Sequence, residues 1–299
     1  MADEDFVCHG KIIDAWAQPP ANALFELLPE GAHLIEKTGQ GAALQALANV
    51  PESTRPQLLL AAMDAAGIDR MLLCAWHRPG RTMISNNEVA MYTRFSSRFV
   101  GVASVDLAHP ESAVQELERA VRELGFVALR VIPWLWGLPP DNRLYYPLYA
   151  KCVELGIPFC TQVGHAGPRC ASEPGRPIPY LEQVLLDFPS LKVVMGHVGM
   201  PWFEEVLSLL WKFPNAYVDT SAYLPHAYPP RLLEFLQSAA GRNRVLVGSN
   251  FPMIPLSKWA GQVRRMRLPP AVQHAFCHEN AARVFRLAPQ REVGEGAKL

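Results

Sequence analysis

The chain predicts an α/β fold, a (β/α)8 barrel of the TIM type, and three observations carry that prediction. Eight short apolar runs alternate with amphipathic stretches from one end to the other. The runs are continuously apolar instead of alternating, the pattern of parallel strands covered on both faces. The length of 299 residues suits one such barrel, and no shift of composition divides it.

The runs, in order, are 11–16, 70–76, 99–106, 126–133, 158–164, 192–199, 216–223 and 244–252. The amphipathic stretches predict helices at 55–67, 86–98, 111–125, 145–156, 179–189, 203–214, 229–239 and 271–285. Gly67, Gly125 and Gly156 stop helices by accepting left-handed backbone, and Pro189 and Pro214 cannot continue them. A doubly wound sheet would carry a glycine-rich phosphate turn after its first strand, and IIDAWAQPP has none. Residues 1–290 are therefore expected to form one domain. Segments 17–54 and 164–178 are long connections expected to cap the barrel mouth, and 291–299 is expected to be a frayed tail.

Composition narrows the classes of function. Hydrophobic residues make up 49% and charged residues 19%, enough for a large core and unlike a disordered chain. The formal net charge is zero, so neither nucleic acid nor an anionic membrane is the expected partner; a small molecule is. Six scattered cysteines without a CxxC pair read as buried thiols of a reducing compartment. With an acidic start that lacks an apolar leader, and no apolar run of membrane-spanning length, a cytoplasmic location is expected.

GHVGMPW at 196–202 puts His197 at the end of a predicted strand, where barrels of this kind keep their chemistry. Other motifs follow in register: IIDAWAQPP, GIPFCTQVG, NAYVDTSAY, RVLVGSNFPM and HENAARVFRL. Together they resemble the amidohydrolase-related superfamily, in its aminocarboxymuconate-semialdehyde decarboxylase-like branch, over almost the whole chain. That resemblance implies an amidohydrolase-like TIM barrel, often dimeric, so a homodimer is carried as an expectation. It also implies a divalent metal, usually zinc, held by two His of the first strand, a His of the fifth and an Asp of the eighth. Here those positions carry Trp16, Gln18, Gln162 and Asn250, while the acid/base His of the sixth strand is kept as His197.

Zinc takes imidazole, thiolate or carboxylate, and neutral amides are poor substitutes. The expectation is therefore a barrel with no cofactor, whose amide side chains donate and accept hydrogen bonds to a small polar substrate. His197 is expected to be the general acid or base, because imidazole titrates near neutrality. His165, at the same rim, is a second candidate. Trp16, Gln18, Arg130, Gln162 and Asn250 are expected to bind substrate, Arg130 by clamping a carboxylate with its forked guanidinium or, alternatively, by pairing with Asp106 or Asp219 inside the barrel. Trp76, Trp134, Trp136 and Trp202 are candidates for aromatic walls. Asp14 and Asp219 read as structural.

The expected activity is decarboxylation, hydrolysis or related proton transfer on a small cyclic or aromatic carboxylic acid or lactone. Two alternatives stand beside it. One is an inactive barrel that binds a ligand or partner; the other is a metal-dependent decarboxylase or hydrolase rearranged around His165 and His197.

Overall fold

The computed structural model describes residues 11–20, 31–38, 46–47 and 49–289. Its strands are β1 (Ile12–Ala17), β2 (Ile68–Cys74), β3 (Trp76–Arg78), β4 (Arg81–Ile84), β5 (Phe99–Val102), β6 (Leu129–Val131), β7 (Phe159–Gln162), β8 (Val193–Gly196), β9 (Ala216–Asp219) and β10 (Val245–Leu246). All but β3 and β4 belong to the barrel. They pair in parallel as β1-β2-β5 and β6-β7-β8-β9-β10. Parallel bridges Ala103–Leu129 and Ala17–Phe251 join the two sheets at both edges and close the barrel. Strands β5, β6, β7, β8 and β10 are buried at every position, which is why their sequences show no polar alternation.

Around the barrel run α1 (Ala32–Thr38), α2 (Arg55–Ala66), α3 (Asn86–Phe95), α4 (Pro110–Arg122), α5 (Pro133–Trp136), α6 (Tyr146–Leu155), α7 (Tyr180–Asp187), α8 (Phe203–Lys212), α9 (Pro230–Gln237), α10 (Leu256–Arg264), α11 (Pro270–His274) and α12 (Asn280–Val284). Local chemistry sets their ends. Ser85 accepts from the Glu88 amide and Glu88 accepts from the Ser85 amide, a capping box that starts α3. Gly67 and Gly156 end α2 and α6 in left-handed backbone (φ 63° and 67°).

Three features differ from the expectation. Trp76–Arg78 and Arg81–Ile84 form an antiparallel hairpin after β2, between the expected strand 70–76 and helix 86–98, where no element was expected. Helix α10 was not foreseen, although Leu256, Trp259, Ala260 and Val263 bury one face at helical spacing. The expected final helix is α11 and α12 joined by a π turn over Ala275–Glu279. Parts of the expected capping segment 17–54, and the 291–299 tail, lie outside the described residues. Cys74, Cys152, Cys160 and Cys277 are buried, whereas Cys170 is exposed on the 164–178 loop. No helix among the described residues is long and apolar enough to cross a membrane.

Candidate active site

The C-terminal ends of the strands build the mouth. At the end of β8, Gly196 leaves room for the Trp16 indole: a Cβ there would stand 2.4 Å from Cζ3 of the ring. The chain then turns through three left-handed residues, His197 (φ 71°), Val198 (φ 61°) and Gly199 (φ 91°). Such backbone costs a side-chain-bearing residue about 1–3 kcal/mol, most clearly a β-branched one, and persists where surrounding contacts enforce it. One such contact is the Val198 N–H, which donates to the Asp219 carbonyl at 3.1 Å. The turn presents the His197 imidazole with Nδ1 2.6 Å from Ser221 Oγ and its ring 4.9 Å from the Trp16 ring.

Opposite His197 stand the amides. Gln18 Nε2 donates to Asn250 Oδ1 at 3.3 Å, linking the ends of β1 and β10. Asn250 is also left-handed (φ 63°), and its N–H donates to the Trp16 carbonyl. Trp134 Nε1 donates to Gln162 Oε1 at 2.7 Å, and Gln162 Nε2 donates to the His165 carbonyl at 3.2 Å. A cavity of about 220 Å³ opens among these groups, lined by Gln18, Gln162, His165, His197 and Asn250 and walled by Leu34, Trp76, Trp134, Met253 and Ile254. Gly167 and Pro168 of the 164–178 segment lie over it. His165 sits exposed at the rim, with Nδ1 3.2 Å from the Met200 carbonyl.

Two of the expected substrate-binding residues do not line this cavity. Trp16 is 1% exposed and packs against the His197 ring outside the lining. Arg130 lies deeper still: its guanidinium packs 3.6 Å from the Trp16 ring centroid and donates to the Ala15 and Ala17 carbonyls at 3.2 and 3.3 Å. Arg130 is thus kept out of the mouth, because three hydrogen-bonding and stacking partners hold it inside the barrel. Trp136 and Trp202 are likewise absent from the wall, which Trp76 and Trp134 supply. Reading the sequence also missed Ser221, although its place two residues after Asp219 at a strand end was the available signal.

Burial dominates the electrostatics. It pushes the Asp14 carboxyl up to about 7, against the Ser249 hydrogen bonds and the Trp16 amide that hold it down. Burial also raises Asp219 to about 6, with hydrogen bonds from Ser221 and the Arg130 charge acting the other way. His197 is lowered to about 3 by burial first, then by Arg130 and His165, so its imidazole is neutral at physiological pH. The mouth therefore offers a neutral imidazole, neutral amides and aromatic walls.

The amidohydrolase family model matches residues 13–287. Among curated proteins, the gamma-resorcylate decarboxylase of Polaromonas sp. strain JS666 is 29% identical over 207 residues, 54% of this chain and 61% of that protein. The match thus spans about three fifths of that relative's length. Among solved structures, a TIM-barrel protein from Bordetella bronchiseptica is similar with a TM-score of 0.78 and 25% identity, covering 93% of this chain and 99% of that one. A dihydroxybenzoic acid decarboxylase from Polaromonas sp. JS666, with bound manganese and 2-nitroresorcinol, has a TM-score of 0.69 at 19% identity, covering 93% and 97%.

The manganese-bound structure corrects the expectation that this barrel needs no cofactor: a divalent metal is what the fold family implies. The residues at the four family positions do not fit one as a ligand set. Trp16 has no donor lone pair to offer. Asn250 Oδ1 and Gln162 Oε1 already accept from Gln18 and Trp134, which leaves Gln18 Oε1 as the amide oxygen without a partner. Among the described residues, no group of three or more His, Cys, Asp or Glu is placed to hold a metal. The match over 13–287, on a closed parallel barrel with His197 at the sixth barrel strand, gives the conclusion: the chain belongs to the amidohydrolase family.

Proposed function

We propose that this protein is a carbon–carbon lyase that decarboxylates a small hydroxylated aromatic carboxylic acid in the barrel mouth. The observation that carries the reading is the placement of a neutral His197 imidazole in an aromatic-walled cavity that also presents the Gln18, Gln162 and Asn250 amides, His165 and Tyr223. The relatives support the substrate class, since they are named as decarboxylases of resorcylate and dihydroxybenzoate.

The aromatic ring would lie against Trp76 and Trp134, whose own rings meet edge to face at 6.4 Å and form one continuous wall. Trp76 Nε1, buried without a partner, and Gln18 Oε1 offer one donor and one acceptor to the ligand. With the negative ligand beside it favouring the charged imidazole, His197 takes the proton of a ring hydroxyl and returns it to the ring carbon that bears the carboxylate. The carbon–carbon bond then breaks, carbon dioxide leaves, and the electron pair stays in the ring. The product leaves as a phenolate that is reprotonated from water.

The test is carbon dioxide release from 2,6-dihydroxybenzoate by the wild type and by His197→Asn. Turnover that depends on His197 supports the reading, and turnover unaffected by the change removes it. An inactive binding barrel is favoured by one observation, the withdrawal of Arg130 from the mouth. Thermal stabilisation by the same acid without any turnover would mark that alternative.

A further inference from the structure

We propose that Ser221 is a positioning residue that couples the buried Asp219 carboxylate to His197, forming an Asp–Ser–His relay that fixes the imidazole tautomer. The proposal rests on the reading that His197 moves the proton.

Both Ser221 and Asp219 are fully buried at the end of β9. Asp219 Oδ1 accepts from the Ser221 N–H at 2.9 Å and from the Ser221 hydroxyl in a very short hydrogen bond. An ionised carboxylate can only accept, so the single hydroxyl proton of Ser221 points at Asp219. Ser221 Oγ is then an acceptor towards His197 Nδ1, 2.6 Å away, and Nδ1 must carry the imidazole proton. The lone pair is left on Nε2, the nitrogen free to take a proton from the ligand. When Nε2 takes it, the ring becomes a cation with its Nδ1–H on Ser221, and the Asp219 charge faces it through one hydroxyl. Proton count balances: one proton arrives at Nε2, and the same one leaves to the ring carbon.

The backbone is built for the same end. The Asp219 carbonyl receives the Val198 N–H, so one residue holds both the left-handed turn and, through Ser221, the ring it presents. The His197 backbone N–H and the Arg130 charge also favour the ionised form of the Asp219 carboxylate, alongside its two bonds from Ser221. A hydroxyl between acid and base sets direction without neutralising either group, unlike a direct His–Asp contact.

Nitrogen-15 NMR of the resting protein reads the tautomer without any turnover. The relay predicts a protonated Nδ1 and an unprotonated Nε2 for His197 in the wild type, lost in Ser221→Ala and kept in Ser221→Thr. With 2,6-dihydroxybenzoate, Ser221→Ala should lower kcat by about 10–100-fold with KM unchanged, and Ser221→Thr should restore it, in line with other groups that orient a functional histidine. A wild type protonated on Nε2 overturns the relay. So does full kcat in Ser221→Ala while His197→Asn is dead, which would leave the decarboxylase reading standing. Full turnover in His197→Asn would instead remove that reading, and the relay's catalytic role with it. Should Ser221→Ala fail to fold, the wild-type tautomer still decides.

Discussion

Replacing Arg130 with Met keeps much of the side-chain length and removes the charge from the barrel interior. The guanidinium makes hydrogen bonds to Ala15 and Ala17 and stacks on Trp16. Charge-assisted bonds of this kind are worth about 1.5–3 kcal/mol each, and the cation–π contact adds about 1 kcal/mol. The methionine recovers part of this through burial, but the nearby Asp219 carboxylate loses the charge that holds its proton affinity down. Breaking such a buried arrangement costs about 3–5 kcal/mol. Urea unfolding read by tryptophan fluorescence measures the loss, and Arg130→Lys, which keeps charge but not the planar stack, should recover less than half. Ligand affinity, titrated on the folded protein, should fall less than threefold because Arg130 does not reach the mouth. The reasoning is refuted by the opposite split: stability within about 1 kcal/mol of wild type together with a loss of binding of a hundredfold or more. That split would mean that the cation clamps the substrate after all.

Three further outcomes follow from the geometry. Trp134→Phe leaves Gln162 Oε1 without its donor and should cost about 1–3 kcal/mol in unfolding free energy, with weaker binding of the aromatic acid by titration calorimetry. Gly196→Ala drives a Cβ into the Trp16 ring; overpacking of this kind costs about 1–3 kcal/mol, and the shift of an indole that packs against His197 should show in near-ultraviolet circular dichroism. A lowered histidine means that the folded state binds its proton more weakly than the unfolded chain does. Stability should therefore fall as pH drops from about 6.5 towards 3, and His197→Asn should lack that component. At pH 5 the difference should be about 1 kcal/mol, allowing for water that reaches the ring from the mouth. A wild type and variant whose melting temperatures run parallel from pH 8 to 4 would contradict the lowered value.

The barrel was legible because burial on both faces writes an unmistakable pattern into each strand. Val193–Gly196 and Phe159–Gln162 are apolar or small at nearly every position for that reason. The hairpin and α10 were harder, since two strands of three and four residues carry too few positions for a period to emerge. At the site, His197, Gln18, Gln162 and Asn250 were found from their places at strand ends, and all four meet around one cavity. Trp16 and Arg130 lie outside the cavity lining, Arg130 inside the barrel where its charge reaches Asp219, as the alternative reading of it had it. A strand-end position gives the direction of a side chain but not its depth, and a planar cation beside an indole stacks inward once two carbonyls accept its protons. Ser221 escaped notice because its place two residues after Asp219 was a faint signal, and its contact with His197, 24 residues away in sequence, is written in no local pattern. The expected absence of a cofactor failed for a different reason: it rested on ligand chemistry alone, whereas a relative of the same fold holds manganese.

Decarboxylation in heavy water tests the central claim most directly. Incubated with 2,6-dihydroxybenzoate, the wild type should release carbon dioxide and place one deuterium on the carbon that lost it, while His197→Asn should do neither. Recovery of unchanged acid from the wild type, or equal deuterium incorporation by the variant, would contradict the account.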